Sequence, residues 1–128
     1  MERRTLVEGA GFRVGWNRSG GEFVGLVGTG DWAVELTGDE WADFRRLASQ
    51  LAEAMAAMAI ELMEEEAVAV ELETGYLWME VEGFPLRYGL RFMTQGGRGI
   101  EGAWPAEAVP GLLGAIAQME VDAVNERL

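Results

Sequence analysis

The side chains that could do chemistry in this 128-residue chain include no histidine, no cysteine and no lysine, because all ten basic residues are arginine. That removes imidazole bases, thiol nucleophiles, disulfides, Cys/His zinc sites, Schiff-base lysines and the lysine of a Walker phosphate loop. Carboxylates, guanidinium groups, hydroxyls and two tyrosines remain. Glu61, Glu64 and Glu65 follow the i, i+3, i+4 spacing of one helical face, where carboxylates could hold a hard divalent cation or dock an arginine-rich partner. A solvated acidic face is the competing reading, and acids at a helix C-terminus oppose its dipole, so something is expected to offset them or this turn to fray. Ser19 lies in a glycine turn with no base to activate it, and no spacing nominates a carboxylate pair for hydrolysis. No catalytic residue is therefore assigned, no cofactor or resident metal is called for, and a non-enzyme is expected.

A second group could recognise nucleic acid. Period-two alternation places Arg13 and Asn17 on the outward side of one sheet, and Trp78, Glu80, Glu82, Arg87 and Arg91 on the outward side of another. Bases stack on indole and guanidinium planes while phosphates pair with the charge, so Arg13, Trp78, Arg87 and Arg91 are the candidate nucleic-acid contacts. The opposing reading is that Glu80 and Glu82 face Arg87 and Arg91 across a hairpin and cancel them as cross-strand ion pairs. A formal net charge of −12 disfavours nucleic acid and anionic lipid as partners. Residues 39–66 carry eight acids and two arginines, and 106–128 carry four acids and one arginine. These two stretches thus hold −9, which predicts sheets that are near neutral. The segment Gln95-Gly96-Gly97-Arg98-Gly99 reads as a hairpin turn or as an anion cradle, and Met55, Met58 and Met63 as core packing or an adaptable groove.

These groups need elements to position them. Residues 4–8, 12–17, 22–27 and 31–36 alternate at period two between glycine-rich turns and predict an antiparallel meander. Its inward face is expected to carry Val14, Trp16, Val24, Leu26, Trp32, Val34 and Leu36. The period then changes. Trp41, Phe44, Ala48, Leu51, Met55, Met58 and Leu62 recur at intervals of three and four, which predicts a helix over 39–66, about 42 Å long at ~1.5 Å per residue. Thr37 and Glu40 have capping-box spacing at its start. Strand alternation returns at 67–73, 76–82, 86–93 and 99–103. Trp104-Pro105 then leads to a second helix with Val109, Leu112, Leu113, Ile116 and Met119 on its apolar face. The two halves share one element order and a short echo, Phe23-Val24-Gly25-Leu26-Val27-Gly28 against Arg87-Tyr88-Gly89-Leu90-Arg91-Phe92.

The strings Asp31-Trp32-Ala33-Val34-Glu35-Leu36-Thr37, Glu61-Leu62-Met63, Leu90-Arg91-Phe92 and Glu101-Gly102-Ala103-Trp104-Pro105 resemble an uncharacterised cyanobacterial family, a domain of unknown function. The resemblance spans nearly the whole chain. It implies a fold like that of the Whirly and positive-coactivator single-stranded-DNA-binding regulators, whose β4-α unit occurs twice. It carries no catalytic or binding residues to transfer, and fold alone does not carry function.

The sequence thus predicts one α+β domain over residues 1–128, built as a pseudo-repeat of 1–66 and 67–128. The expected function is a non-catalytic interaction or regulatory protein that binds a protein partner. The alternatives are a single-stranded DNA or RNA binder and, third, a carboxylate-based metal-dependent enzyme. Neither a signal peptide after Met1-Glu2-Arg3-Arg4 nor an apolar run of ~18 to 20 residues is seen, so no membrane association and a cytoplasmic location are expected.

Overall fold

Strands alternating at period two need something apolar to cover one face, and here two helices cover two sheets. The structure, a computed structural model, describes residues 4–61 and 66–127. The first four strands are β1 (Arg4–Gly9), β2 (Phe12–Asn17), β3 (Phe23–Gly28) and β4 (Ala33–Thr37), and helix α1 (Gly38–Glu61) follows. The second set is β5 (Val68–Glu73), β6 (Leu77–Phe84), β7 (Arg87–Thr94) and β8 (Glu101–Trp104), followed by α2 (Val109–Arg127). Each set is an antiparallel meander in sequence order, giving an α+β fold of two four-stranded sheets. The helices are shared between the sheets. α1 lies against β5 and β6 of the second sheet and β3 and β4 of the first, while α2 returns to β1 and β2 and also touches β7.

The capping box forms as its spacing requires: the Thr37 N–H donates to Glu40 Oε1 at 2.9 Å, and the Glu40 N–H donates to Thr37 Oγ1 at 3.3 Å. Trp41, Phe44, Leu47, Ala48, Leu51 and Met55 of α1 are buried, and Met58 packs against the core from its edge. Leu47 extends the expected stripe by one position. Leu62, Met63, Glu64 and Glu65 lie outside the described residues, and Glu66 is not helical. The described helix has 24 residues, about 36 Å at ~1.5 Å per residue, and of the 39–66 expected only the stretch up to Glu61 and the non-helical Glu66 are described. No basic side chain sits in its last turn to offset the carboxylates against the dipole.

Aromatic rings hold the sheets together. Phe92 of β7 stacks on Trp104 of β8 with centroids 5.7 Å apart, Phe44 of α1 meets both edge-on, and Trp32 before β4 lies 5.2 Å from Trp104. The buried Trp104 indole N–H donates to the Gly28 carbonyl of β3 at 2.7 Å, a polar tie from one sheet to the other. Two glycines make room for these rings. A Cβ on Gly102 would come within 2.3 Å of the Trp32 ring, and one on Gly25 within 2.6 Å of the Trp41 ring.

The register of β3 differs from expectation. Val27 pairs with Val14 and Val34 on the inward face, and Gly25 pairs with Trp16 and Leu36. Leu26 pairs with Gly15 and Glu35 and therefore faces outward. An irregularity between Phe23 and Gly25 changes the phase, so Val24 still reaches the core while Leu26 does not. Leu90, its partner in the sequence echo, is buried and faces inward. The echo thus aligns residues on opposite faces and is not a structural repeat.

Candidate functional site

Both sheets turn one face to the helices and leave the other open, and the open faces differ in character. On the first sheet, Leu6, Gly15, Leu26 and Glu35 form one row across β1, β2, β3 and β4. Gly15 has no side chain, so Leu6 and Leu26 close over it from either side. Leu6 is 59% exposed and Phe23, paired with Thr37 at the far end of β3, is 36% exposed. A shallow concavity of about 380 Å³ lies between them, with Arg4 and Asn17 at one end and Glu35 at its side. Arg4 and Arg13 against Glu8 and Glu35 make the strands of this sheet neutral.

The rim is braced by arginine. Arg98, from the 95–99 turn, places its guanidinium 5.2 Å from the Phe23 ring, donates to the Glu35 carbonyl at 3.0 Å and pairs with the Glu40 carboxylate. Glu40 is only 3% exposed, so this ion pair is taken almost wholly out of water. Arg45 lies 4.5 Å from the Trp16 ring and Arg18 lies 5.2 Å from it. Arg45 also reaches Glu120 of α2 at 3.7 Å.

The open face of the second sheet is acidic. Its strands carry Glu71, Glu73, Glu80, Glu82 and Glu101 against Arg87 and Arg91. Arg91 pairs with Glu80, Nε to Oε1 at 2.8 Å, and its guanidinium lies 5.1 Å from the Trp78 ring. The Trp78 indole N–H donates to Glu71 Oε2 at 3.0 Å. Glu82 faces Gly89 in the ladder and not Arg87. Arg87 instead pairs with Glu107, in the turn before α2, at 2.5 Å. A backbone hydrogen bond and then Arg87 hold the Glu107 carboxyl below its usual range. Arg13 belongs to the other sheet, where Nε donates to the Thr29 carbonyl at 2.6 Å and Nη2 to the Trp32 carbonyl at 3.1 Å. The four arginine and tryptophan positions are thus split: Trp78 and Arg91 are neighbours, Arg87 is drawn toward α2, and Arg13 braces the β3–β4 turn.

Charge also sits differently from the sequence reading. The described helices hold eight acids and three arginines, a net −5, so more negative charge lies in strands and connections than the −3 expected. Only the first sheet is neutral. Of the acidic cluster, Glu61 is exposed at the end of α1, and Glu64 and Glu65 lie outside the described residues. Among the described residues no group of three or more acidic side chains is arranged to hold a metal ion.

Sequence reasoning missed two parts of this arrangement. The Arg98–Glu40 pair joins residues 58 positions apart, and no local pattern signals it. The Leu6, Phe23 and Leu26 face had a signal. In Phe23-Val24-Gly25-Leu26-Val27 apolar residues fall on both faces of one strand, so one face had to remain uncovered or find another partner.

The family described as a domain of unknown function, DUF1818, matches residues 7–119. The chain belongs to this family. The DUF1818 chain is also similar to a crystal structure of a protein of unknown function from the DUF155 family of Prochlorococcus sp. NATL2A. The TM-score is 0.84 and the identity 26%, covering 91% of this chain and 98% of that one. No curated protein matches. Among the described residues of the DUF1818 chain, no helix is long and apolar enough to cross a membrane.

Proposed function

We propose that this DUF1818 protein is a non-catalytic interaction protein of the cyanobacterial cytoplasm, and that it binds a protein partner through the open face of its first sheet. One observation carries the reading: the Leu6, Gly15, Leu26 row with Phe23 is an exposed apolar patch on strands whose charges balance. In a chain of net charge −12, such a patch is where a neutral or apolar surface approaches with least repulsion. Affinity capture from a cyanobacterial lysate, with and without nuclease, tests it when wild type is run beside Leu6→Asp. The reading expects a protein that survives nuclease and is lost with Leu6→Asp. Capture that ignores Leu6→Asp, or that nuclease removes, would count against it.

The second reading is a single-stranded nucleic-acid binder of the Whirly and coactivator kind, supported by Arg91 lying over Trp78 on an open sheet face. Five glutamates of the same sheet oppose it.

A further inference from the structure

We infer that the open face of the second sheet docks an extended basic segment of a partner protein, taking two of its lysine or arginine side chains in hollows on either side of Arg91. This surface is separate from the first-sheet patch and does not depend on it. The ladder fixes which residues share the face. Trp78 pairs with Met93 and Met93 with Glu101 in one row, Glu80 with Arg91 and Arg91 with Ala103 in the next, and Glu82 with Gly89 in the third. Gly89 and Ala103 project little or nothing, so the surface is low where they stand. One concavity, about 320 Å³, lies over them beside Glu80 and Glu82, and a second, about 430 Å³, lies among Trp78, Met93, Glu101 and Ala103. Arg91 borders both. Glu82 and Glu101 are exposed, and among the described residues neither makes an ion pair. Each hollow thus holds one carboxylate that no cation of this chain neutralises.

The chain's own Arg91 shows what this face holds. Its guanidinium lies 5.1 Å from the Trp78 ring centroid while its Nε donates to Glu80 Oε1 at 2.8 Å, so an aromatic surface and a carboxylate share one cation. The second hollow repeats that chemistry. Met93, 41% exposed, and Trp78 offer an apolar bed for an aliphatic stem, and Glu101 offers a partner for the charged head. Lysine and arginine carry both parts. A metal ion does not fit, because among the described residues no three acidic side chains converge on one point.

Charge and spacing select the occupant. Glu71 stands directly opposite Glu80 in the ladder, a like-charge pair that a further cation on this face relieves. With the whole chain at −12, a basic segment is drawn in from a distance and an acidic one is turned away. Gly89 and Met93, which mark the two hollows, are four residues apart in β7, about 13 Å at ~3.3 Å per residue. An extended segment lying along β7 repeats that distance between its residues i and i+4, whose side chains point to the same side. Basic residues three apart would point to opposite sides and fill only one hollow.

Fluorescence anisotropy at low salt tests this with the full chain and a labelled serine/threonine peptide carrying two arginines four residues apart. Saturable binding to wild type is expected, several-fold weaker when the arginines are three residues apart. Glu82→Gln/Glu101→Gln should weaken it about tenfold, the loss of two exposed ion pairs. Glu8→Gln/Glu22→Gln removes the same charge from the first half of the chain and should leave binding unchanged, as should Leu6→Asp. All these side chains are exposed, so the variants keep the fold, which circular dichroism checks. No saturable binding, or binding that Glu82→Gln/Glu101→Gln leaves intact, would overturn the inference. Equal weakening by Glu8→Gln/Glu22→Gln would overturn it by showing general attraction to a negative chain, and loss with Leu6→Asp would overturn it by placing the peptide on the first sheet. Spermine binding more tightly than the peptide would overturn it in favour of a free polyamine.

Discussion

The carboxylate of Glu40 closes the capping box of α1 and meets the Arg98 guanidinium at a position almost without water. Removing one member of such a pair leaves the other charged and unpaired, which costs more than the pair itself contributes. Arg98→Met is therefore expected to lower unfolding stability by ~3 kcal/mol, read from urea denaturation. Glu40→Gln added to that variant should recover part of the loss, because the amide oxygen still accepts the Thr37 N–H and no charge is buried. Tyr76 gives a second residue-scale outcome. Asp39, by charge and by hydrogen bond, pushes the Tyr76 phenol above its ordinary value of 10.0, and Asp43 adds to this. Burial pushes the other tyrosine, Tyr88, the same way. A raised phenol favours the protonated form in the folded chain, so this contribution is complete below pH ~10 and is lost as pH rises through the folded value. In an ultraviolet titration both tyrosines should ionise late, and Asp39→Asn should return only Tyr76 toward 10.0.

At the level of elements, the strands and helices were legible because each period has one cause. The alternation over 12–17 and the three-four spacing from Trp41 to Met55 reflect burial on one side, and both elements formed where those patterns lie. The orientation of Leu26 was not legible, because β3 is apolar on both faces and its irregularity near Val24 shifts the phase without any sequence mark. Nor was the tie between sheets. Trp104 beside Pro105 reads as a helix entry, yet its indole N–H reaches Gly28, 76 residues away. The surroundings of Gly102 and Gly114 were equally hidden, since the symbol is the same while the space around each differs. Gly102→Ala should cost ~2 kcal/mol, because its Cβ would press on the Trp32 ring in a filled core. Gly114→Ala should instead stabilise the chain by ~1 kcal/mol through helix propensity alone, with nothing within 4 Å to resist it. Thermal unfolding reads both, and the opposite signs distinguish a notch from an exposed turn of helix.

For the whole molecule, the distribution of charge decides between the two kinds of partner. A net charge of −12 spread evenly would repel nucleic acid everywhere, whereas −12 confined to the helices would leave both sheets free to bind it. The structure lies between these limits. The first sheet is neutral and apolar, and the second keeps its carboxylates on the face that holds Trp78 and Arg91. Each phosphate contact needs a cation able to release counterions, and Arg91 is bound to Glu80 while Arg87 is bound to Glu107. Both pairs would have to break, leaving their carboxylates beside the incoming phosphates. Labelled single-stranded oligonucleotides at low salt are therefore expected to give no saturable change in anisotropy with wild type. The informative companion is Glu80→Gln/Glu107→Gln, which frees the Arg91 guanidinium beside Trp78 and that of Arg87 at the other end of β7. Salt-sensitive binding that appears only in this variant would show that the carboxylates hold the face closed to nucleic acid. Tight binding by wild type, abolished by Arg87→Ala/Arg91→Ala, would instead make the second sheet the functional face and displace the protein-partner reading.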